Sequence, residues 1–292
     1  MRHALVFGGS GQVGRPLLAR LCGAGWRVSA VSRAPAADAG AGALRWLAGE
    51  FDAMPALPSQ VDAILSCGPL DRFARWYAAA APECPRVVAF GSTSIDTKHD
   101  SADAGERDIV RRLREGEAAV FAAAAGRGAA ATLLRPTLVY GAGRDASLSR
   151  IAALAGRAGV FALPRGATGL RQPVHVEDLA DAAMACLGAP ASHGRAYALP
   201  GGETLPYREM VGRVLACLQP PARLVELPAP LFAIALRLAQ LTGRARGLGD
   251  AAIGRMREDL VFDIDPAARD LGYAPRPFRP SPGMFMPSGP VR

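Results

Sequence analysis

Three glycines near the start of the chain are spaced so that they could hold a phosphate group. Gly8, Gly11 and Gly14 follow an apolar run that ends at Phe7, and a helical pattern begins at Arg15. In such a turn the first glycine permits a sharp bend, the second lets the backbone approach a pyrophosphate, and the third lets the helix lie close to the strand. The free N–H groups and the positive dipole end of the helix then face the phosphates. The turn therefore predicts dinucleotide binding, with a purely structural turn as the alternative, and the residues expected at the cofactor are Gly8, Ser10, Gly11, Gln12, Val13 and Gly14.

A positive charge stands where many chains of this pattern carry an acid. The second predicted strand covers residues 27–32, and Arg33 follows it. An acid here would bind the ribose 2′-hydroxyl of NAD, whereas a guanidinium would pair with the 2′-phosphate of NADP. The nearest acid, Asp38, comes several residues later. NADP(H) is therefore favoured over NAD(H), and a surface arginine without a ligand is the alternative.

Strands and helices alternate along the first half of the chain, which predicts a parallel sheet with helices on both faces. The cofactor is then expected across the carboxyl ends of the strands. Strands are predicted to end at Phe7 and to cover residues 27–32, 44–48, 61–66 and 86–90, and helices are predicted over residues 15–22, 72–81, 106–125 and 148–158.

The glycine spacing and three later segments resemble the extended branch of the short-chain dehydrogenase/reductase superfamily, which includes the NAD-dependent epimerases and dehydratases. These segments are residues 91–95, 135–141 and 174–180. The resemblance implies an α/β fold with a Rossmann-type doubly wound parallel sheet and a small C-terminal α/β substrate domain. It places the cofactor domain over residues 1–200, with 136–170 contributing to the substrate cleft, the substrate domain over 201–274, and an extended or disordered proline-rich tail over 275–292.

The same resemblance assigns roles to several side chains. Glu50 takes the position of an aspartate beside the adenine, and the loop of Cys67, Gly68 and Pro69 runs along the nicotinamide side. Pro136, where the substrate part begins, is also expected at the cofactor. Ser92, or else Thr93, takes the position of a catalytic hydroxyl that hydrogen-bonds the reacting oxygen. The alternative is that these hydroxyls only cap the next segment.

The tyrosine and the lysine that this family uses for proton transfer are missing. The sole lysine is Lys98, and the residue four positions before it is Ser94. In the helix predicted over residues 106–125, the resemblance puts Ile109 at the tyrosine position and Leu113 at the lysine position. Neither side chain can transfer a proton.

Three interpretations follow from this gap. The chain is a non-catalytic NADPH-binding sensor or accessory protein, or it is an epimerase, dehydratase or reductase whose acid comes from elsewhere. Alternatively the local alignment is shifted, and an arginine takes the electrostatic role of the lysine. The residues considered for a substitute acid are Tyr140, His175, and Asp96 with Lys98, and the arginines are Arg111 and Arg112.

Several residues of the second half are candidates for the substrate. Tyr140 and Arg144 lie in the loop where the family's substrate part begins, and Arg171 could hold a substrate phosphate or form an outward-facing salt bridge. His175, in an apolar strand, is a candidate acid or a satisfied core histidine. Asp178 is expected to cap a helix.

Composition narrows the remaining functions. Five cysteines are scattered without metal-binding spacing, so no metal site is predicted. The net charge is +8, but its arginines form no long basic run, so nucleic acid is not expected as a partner. An anionic cofactor and a small anionic substrate suit this charge equally well. The resemblance implies a nucleotide-linked sugar as that substrate, and it implies a homodimer, although the sequence itself does not give the oligomeric state.

No membrane span or signal peptide is expected, and we predict a cytoplasmic protein. An apolar helix predicted over residues 231–242 packs in the small domain or contacts a membrane or a partner.

Overall fold

The computed structural model describes residues 1–35, 42–98, 100–241 and 250–285. The chain divides into two compact units whose segments alternate along the sequence. Unit 1 comprises Met1–Thr137, Val176–Leu199 and Asp263–Ala274, and unit 2 comprises Leu138–His175, Pro200–Phe262 and Pro275–Arg292. The domains predicted from the sequence follow one another instead, with their boundary at residue 200.

The secondary structure alternates as expected from the sequence. The strands are β1 His3–Phe7, β2 Arg27–Ser32, β3 Leu44–Ala48, β4 Ala63–Ser66, β5 Arg86–Phe90, β6 Ala130–Pro136, β7 Val139–Tyr140, β8 Val160–Pro164, β9 Leu170–Arg171, β10 Val174–His175, β11 Arg195–Leu199, β12 Leu205–Pro206 and β13 Arg223–Leu227. The helices are α1 Gly14–Gly23, α2 Leu70–Ala80, α3 Ser94–Thr97, α4 Ala104–Gly126, α5 Leu148–Ala158, α6 Val176–Cys186, α7 Tyr207–Ala216, α8 Ala229–Leu241, α9 Asp250–Arg255 and α10 Asp265–Leu271. Short 3-10 turns cover Pro190–Ser192 and Pro282–Met284.

Unit 1 is built on a seven-stranded sheet in the order β11-β6-β5-β4-β1-β2-β3. Every neighbouring pair in it is parallel. The strands β1, β4 and β5 are buried along their whole length, as strands covered on both faces must be. The doubly wound fold class predicted from the sequence is confirmed, and the strand order reverses between β1 and β4, where such folds form their binding crevice.

Aromatic side chains fill the space between this sheet and helix α2. The ring of Phe7 lies 4.4 Å from that of Trp76 and 5.9 Å from that of Phe73, measured between centroids. Phe51 packs on the same cluster, with its ring 5.1 Å from Phe7. Because Phe7 is the last residue of β1, this packing fixes the strand end from which the glycine turn starts.

Unit 2 consists of two-stranded ladders and helices around its own core. The strands β7 and β10 pair in parallel, as do β8 and β13, while β9 and β12 are antiparallel. The core residues at its centre include Tyr140, Leu148, Met210 and Phe278.

Three elements differ from the sequence predictions. Strand β11, which lies just before the predicted boundary at residue 200, pairs with β6 as the seventh strand of the main sheet. Helix α10 belongs to unit 1. Residues 275–281 have no regular secondary structure, but Phe278 and Phe285 are buried in the core of unit 2, so this part of the tail is packed and not disordered. Residues 286–292 lie outside the described residues, as does Thr242 at the end of the apolar helix.

Candidate functional site

The turn between β1 and α1 requires glycine at its key positions. Gly8 has a φ of +70°, and a Cβ placed on it would lie 2.9 Å from the carbonyl carbon of Cys67. A Cβ on Gly14 would lie 2.2 Å from the carbonyl oxygen of Gly8. The N–H of Gly11 donates to that same oxygen at 2.9 Å. The turn is therefore closed by its own backbone, and helix α1 begins directly on it.

The first turn of α1 is left open to an acceptor. Its N-cap is Val13, which offers no side-chain hydrogen bond, and no acid stands in the first turn. Helix N-termini carry N–H groups without intrahelical partners and a partial positive charge. Beside them the Gln12 side-chain oxygen is buried and has no hydrogen-bond partner within the described part of the chain. The N–H groups and their positive charge suit the phosphates of a dinucleotide, whereas the unpaired Gln12 oxygen is an acceptor and requires a donor, such as a hydroxyl group.

The end of β2 carries hydroxyls and a cation. The hydroxyls of Ser10 and Ser32 lie 2.9 Å apart, and Ser32 also accepts from the N–H of Ala34 at 3.1 Å. Arg33 is exposed at this point. Asp38, the nearest acid along the sequence, lies outside the described residues. The hydroxyl pair joins the glycine turn to the end of β2.

The loops that follow β3 and β4 lie on the same side of the sheet, at the carboxyl ends of the strands. The N–H of Cys67 donates to the carbonyl of Phe7 at 2.9 Å, and Pro69 is the N-cap of α2. Glu50 is exposed and forms a backbone bridge with Ala53. Burial raises the pKa of the Cys67 thiol to about 12, which keeps it protonated and unreactive near neutral pH.

The hydroxyls after β5 are engaged in local hydrogen bonds. Ser92 accepts from the N–H of Ser94 and donates to its hydroxyl, both at 3.1 Å, at the start of α3. Thr93 is buried and donates to the carbonyl of Pro136 at 3.1 Å. The capping role considered from the sequence is thus present at Ser92, while Thr93 ties β5 to the end of β6. Of the two, Ser92 is the more accessible.

The positions of the missing tyrosine and lysine lie on α4. Ile109 is exposed there, and Leu113 packs on the core of unit 1.

The charged residues considered as substitutes are engaged in ion pairs. The ammonium of Lys98 lies 3.3 Å from a carboxylate oxygen of Glu106, and the carboxylate of Asp96 lies 3.6 Å from the guanidinium of Arg135. Arg111 and Arg112 form salt bridges on the exposed surface of α4. Arg111 lies 3.0 Å from Glu115, and Arg112 lies 2.9 Å from Asp108.

A buried ion pair lies beside these positions. Arg135 on β6 donates from its Nε to Glu117 on α4 at 2.8 Å, and a second, shorter bond joins the same two side chains. A Cβ on Gly91 would lie 3.1 Å from the Glu117 carboxylate. Sequence reasoning did not identify this pair, because residues 117 and 135 meet only when α4 packs on β6.

The other two candidate acids come together within unit 2. Tyr140 and His175 are opposite each other in the β7–β10 ladder, and their rings are 5.0 Å apart at an interplanar angle of 78°. Both are buried, and Phe278 packs edge-on against Tyr140 at 4.9 Å. Gly141 has a φ of +114°, and a Cβ on it would lie 2.4 Å from the His175 Nε2. The arrangement suits a core histidine as well as a proton donor.

Arg171 lies in a different environment from either of those expected. It is buried, and its guanidinium donates to the carbonyls of Leu170 at 2.6 Å, of Glu258 at 2.8 Å and of Arg255. Burial lowers the pKa of this guanidinium. The outward-facing salt bridge is therefore wrong, and a phosphate would have to compete with these carbonyls. Arg144 is exposed, and Asp178 lies in the first turn of α6 as expected from the sequence.

No group of three or more histidine, cysteine, aspartate or glutamate side chains in the described ranges is placed to hold a metal ion. Within the same ranges no helix is long and apolar enough to cross a membrane.

The comparison with family models concerns the segment from α4 to β11. Residues 114–199 match the NAD dependent epimerase/dehydratase family. This family match confirms the resemblance drawn from the sequence motifs. The matched segment contains Glu117, Arg135, Tyr140 and His175, and the glycine turn precedes it.

Individual proteins agree with this assignment. A UDP-glucose 4-epimerase from Vibrio cholerae is 26% identical over 180 residues, which are 61% of this chain and 52% of that protein. The chain spans about half the length of the curated relatives it matches. Among solved structures, an epimerase from Methanothermobacter thermautotrophicus has a TM-score of 0.70 at 16% identity, covering 95% of this chain and 89% of its own. MoeE5, solved with UDP-glucuronic acid and NAD, has a TM-score of 0.67 at 20% identity, with 94% of each chain covered.

Proposed function

We propose that this chain binds a nicotinamide dinucleotide at the glycine turn and acts on a nucleotide-linked sugar as an epimerase, dehydratase or reductase. The observation that carries the proposal is the packing of Gly8 and Gly14, at both of which a Cβ would lie within 3.0 Å of backbone atoms. Such packing holds the start of α1 at the end of β1, in the geometry that accepts a pyrophosphate.

The choice of substrate class rests on the relatives. The Vibrio cholerae protein is a UDP-glucose 4-epimerase, and MoeE5 was solved with UDP-glucuronic acid and with UDP-glucose. A chain with net charge +8 suits the diphosphate of such a compound. We infer the same class of substrate for this protein.

We further propose that the cofactor is NADP(H). Among residues 27–35 no acid is present to bind a ribose 2′-hydroxyl, while Arg33 is exposed and the Ser10 and Ser32 hydroxyls stand beside it. A 2′-phosphate would accept hydrogen bonds from all three groups. An aspartate, which NAD-binding chains carry at this point, would repel that phosphate, and residues 27–35 contain no aspartate.

Different side chains of the protein would bind the reacting oxygen and transfer the proton. The nicotinamide ring supplies hydride transfer when bound. Ser92, at the end of β5, would hydrogen-bond the reacting oxygen once its bond to Ser94 is released. Tyr140 and His175 are the side chains we propose for proton transfer, since the positions of the family's tyrosine and lysine hold Ile109 and Leu113.

A second function is favoured by one observation. Lys98, the only lysine of the chain, is paired with Glu106, and the usual proton-transfer pair is replaced by two aliphatic side chains. A protein of this kind could hold NADPH without turning it over, as a sensor or an accessory subunit. This alternative shares the cofactor site and differs only in the chemistry.

Titration of the full chain with NADPH and NADH, followed by fluorescence, tests the cofactor proposal. Saturable binding with NADPH tighter than NADH is expected. If neither dinucleotide saturates, the proposal is wrong. Single-turnover incubation of the NADPH-loaded protein with UDP-4-keto sugars then separates the two functions, because an enzyme consumes NADPH and a sensor does not.

The roles of the hydroxyls are tested on the same reaction. Ser92→Ala and Tyr140→Phe should each lower the single-turnover rate by about 100-fold if they act on the reacting oxygen and the proton. Tyr77→Phe is the matched control, since the Tyr77 hydroxyl is buried without a hydrogen-bond partner in the described part of unit 1. An unchanged rate in Tyr140→Phe would leave His175 as the candidate, tested by His175→Gln.

A further inference from the structure

Exposed apolar side chains are concentrated on three contacting elements of unit 2. Strands β8 and β13 pair with each other, and helix α8 contacts β8. Their exposed large apolar residues form what we call the α8 surface: Val160 (43% exposed), Val225 (38%), Leu231 (55%), Ile234 (57%) and Leu238 (59%). Other large apolar residues of the described chain with such exposure are Met1, Ile109 and Val261. Exposed apolar side chains concentrated on neighbouring elements mark an interaction site.

Helix α8 presents its apolar residues in one stripe. Leu231, Ile234 and Leu238 are separated by three and four positions, which places them on one face of a helix. Phe232 points to the other side and is buried. The helix has 13 residues, about 20 Å at 1.5 Å per residue, so it can lie along an interface but not cross a bilayer.

A positive charge borders this stripe. Arg237, exposed, is the only charged residue of α8, and at 100° per residue it lies beside Ile234 at the border of the stripe. Residues 228–249 contain Arg237, Arg244 and Arg246 and no acid. On β13, Arg223 and Val225 lie on one face of the strand. Glu226 lies on the opposite face, 3.9 Å from Arg208.

We propose that the α8 surface docks on the anionic face of a phospholipid bilayer, with Leu231, Ile234 and Leu238 in the acyl boundary and Arg237 among the headgroups. An apolar stripe flanked by arginine is the pattern of interfacial helices, whose binding combines apolar burial with attraction to anionic lipid. Arginine can keep its guanidinium at the headgroups while its stem lies on apolar surface.

A second copy of the chain fits this surface less well. Pairing two α8 helices would cover the stripe but would bring together two copies of a helix whose only charged residue is Arg237. Like charges without a counter-ion disfavour such an interface. A lipid surface supplies the missing negative charge.

Vesicle flotation of the full chain tests the proposal. The vesicles contain phosphatidylcholine alone, or phosphatidylcholine with about one third phosphatidylglycerol. Partitioning should be at least ~10-fold stronger on the anionic vesicles and should fall when salt rises from about 0.1 M to 0.5 M. The double variant Ile234→Ser/Leu238→Ser should lose ~10-fold or more, and Arg237→Glu several-fold, on anionic vesicles.

The matched control is Val261→Ser, which removes an apolar side chain of 47% exposure outside the α8 surface and should float like the parent protein. Melting curves of all variants check that they fold. Equal binding to both kinds of vesicle would overturn the anionic assignment. Absence of flotation would overturn the proposal altogether, and a concentration-dependent dimer that the double variant abolishes would assign the surface to a second copy.

Discussion

Gly14 has the least room of the three glycines in the turn between β1 and α1. A methyl group there would lie 2.2 Å from the carbonyl oxygen of Gly8 and 2.7 Å from the Cα of Gly9, both of them backbone. Since backbone cannot rotate away as a side chain does, the turn or the helix start must shift. The same shift would move the N–H groups that we propose for the pyrophosphate.

Gly14→Ala is therefore expected to destabilise the fold by about 2 kcal/mol or more and to abolish dinucleotide binding. Gly23→Ala is the control, because a Cβ on Gly23 meets nothing within 4 Å at the other end of the same helix. It should raise stability by about 0.5–1 kcal/mol, as alanine does in a helix, and leave binding unchanged. Urea denaturation and fluorescence titration measure both effects, and normal binding in Gly14→Ala would contradict the assignment of the turn.

Removing one partner of the Glu117–Arg135 pair should be most costly where it strands the more buried charge. Arg135→Met leaves Glu117, which is 6% exposed, without its cation and is expected to lower the free energy of unfolding by about 3 kcal/mol. Glu117→Gln should cost less, because Arg135 is partly exposed and keeps Asp96 at 3.6 Å. The double variant should lose less than the sum of the two, which a double-mutant cycle in urea measures. Additive losses would mean that the two side chains do not stabilise each other.

Residue types revealed the glycine turn but not the environments of the charged side chains. Glycine at positions 8, 11 and 14 is informative by itself, because the requirement is in the backbone. Arg171 is different, since its partners are carbonyls of residues 170, 255 and 258. Residues 255 and 258 are distant in sequence, and every residue has a backbone carbonyl, so the residue types do not show which carbonyls bind the arginine. The burial of that arginine was therefore not predictable.

At the scale of elements, the strands β2, β3 and β5 have the limits predicted from their apolar runs. Helix α3 was not predicted, because four residues carry too little periodicity and its start depends on the Ser92 hydroxyl. The packing of the tail was missed for a related reason. Phe278 is a single apolar residue without a repeating neighbour, and its burial depends on unit 2.

A carboxylate fastens that tail to helix α7. Glu203 accepts from Arg213 at 2.7 and 2.9 Å and from the N–H of Phe278 at 3.1 Å, and Arg213 donates in turn to the Phe278 carbonyl at 3.0 Å. The hydrogen bond from Arg213 is the main cause that lowers the pKa of Glu203. One pair thus links a loop, a helix and the tail.

Acid should weaken this link. Because the pKa of Glu203 is lower in the folded chain, its contribution is complete above the ordinary glutamate value of about 4.3 and is lost as the pH falls through the folded value. Glu203→Gln should cost about 1 kcal/mol or less at neutral pH, and the difference from the parent should shrink below pH ~4. Thermal melts at pH 7 and at about pH 3 measure it. A difference that grows in acid would contradict the sign.

At the scale of the whole molecule, a cofactor that binds only the folded chain must stabilise it. At a free concentration 100-fold above the dissociation constant, the gain is about 2.7 kcal/mol. NADPH is therefore expected to raise the melting temperature more than an equal concentration of NADH. Arg33→Asp should reverse that order by exchanging a phosphate ligand for a ribose ligand. Equal shifts from both cofactors in the parent protein would remove the proposed preference for NADP(H).

The return of the chain to unit 1 after residue 262 packs a helix against the edge strand of the main sheet. Helix α10 contacts β11, the last strand in the sheet order, and Asp270 on this helix accepts a hydrogen bond from the Tyr197 hydroxyl at 2.8 Å. A fragment that stops at residue 200 would lack α10 and would leave Tyr197, which is 2% exposed in the full chain, without its carboxylate partner. Unit 1 is therefore best produced with its C-terminal segment attached.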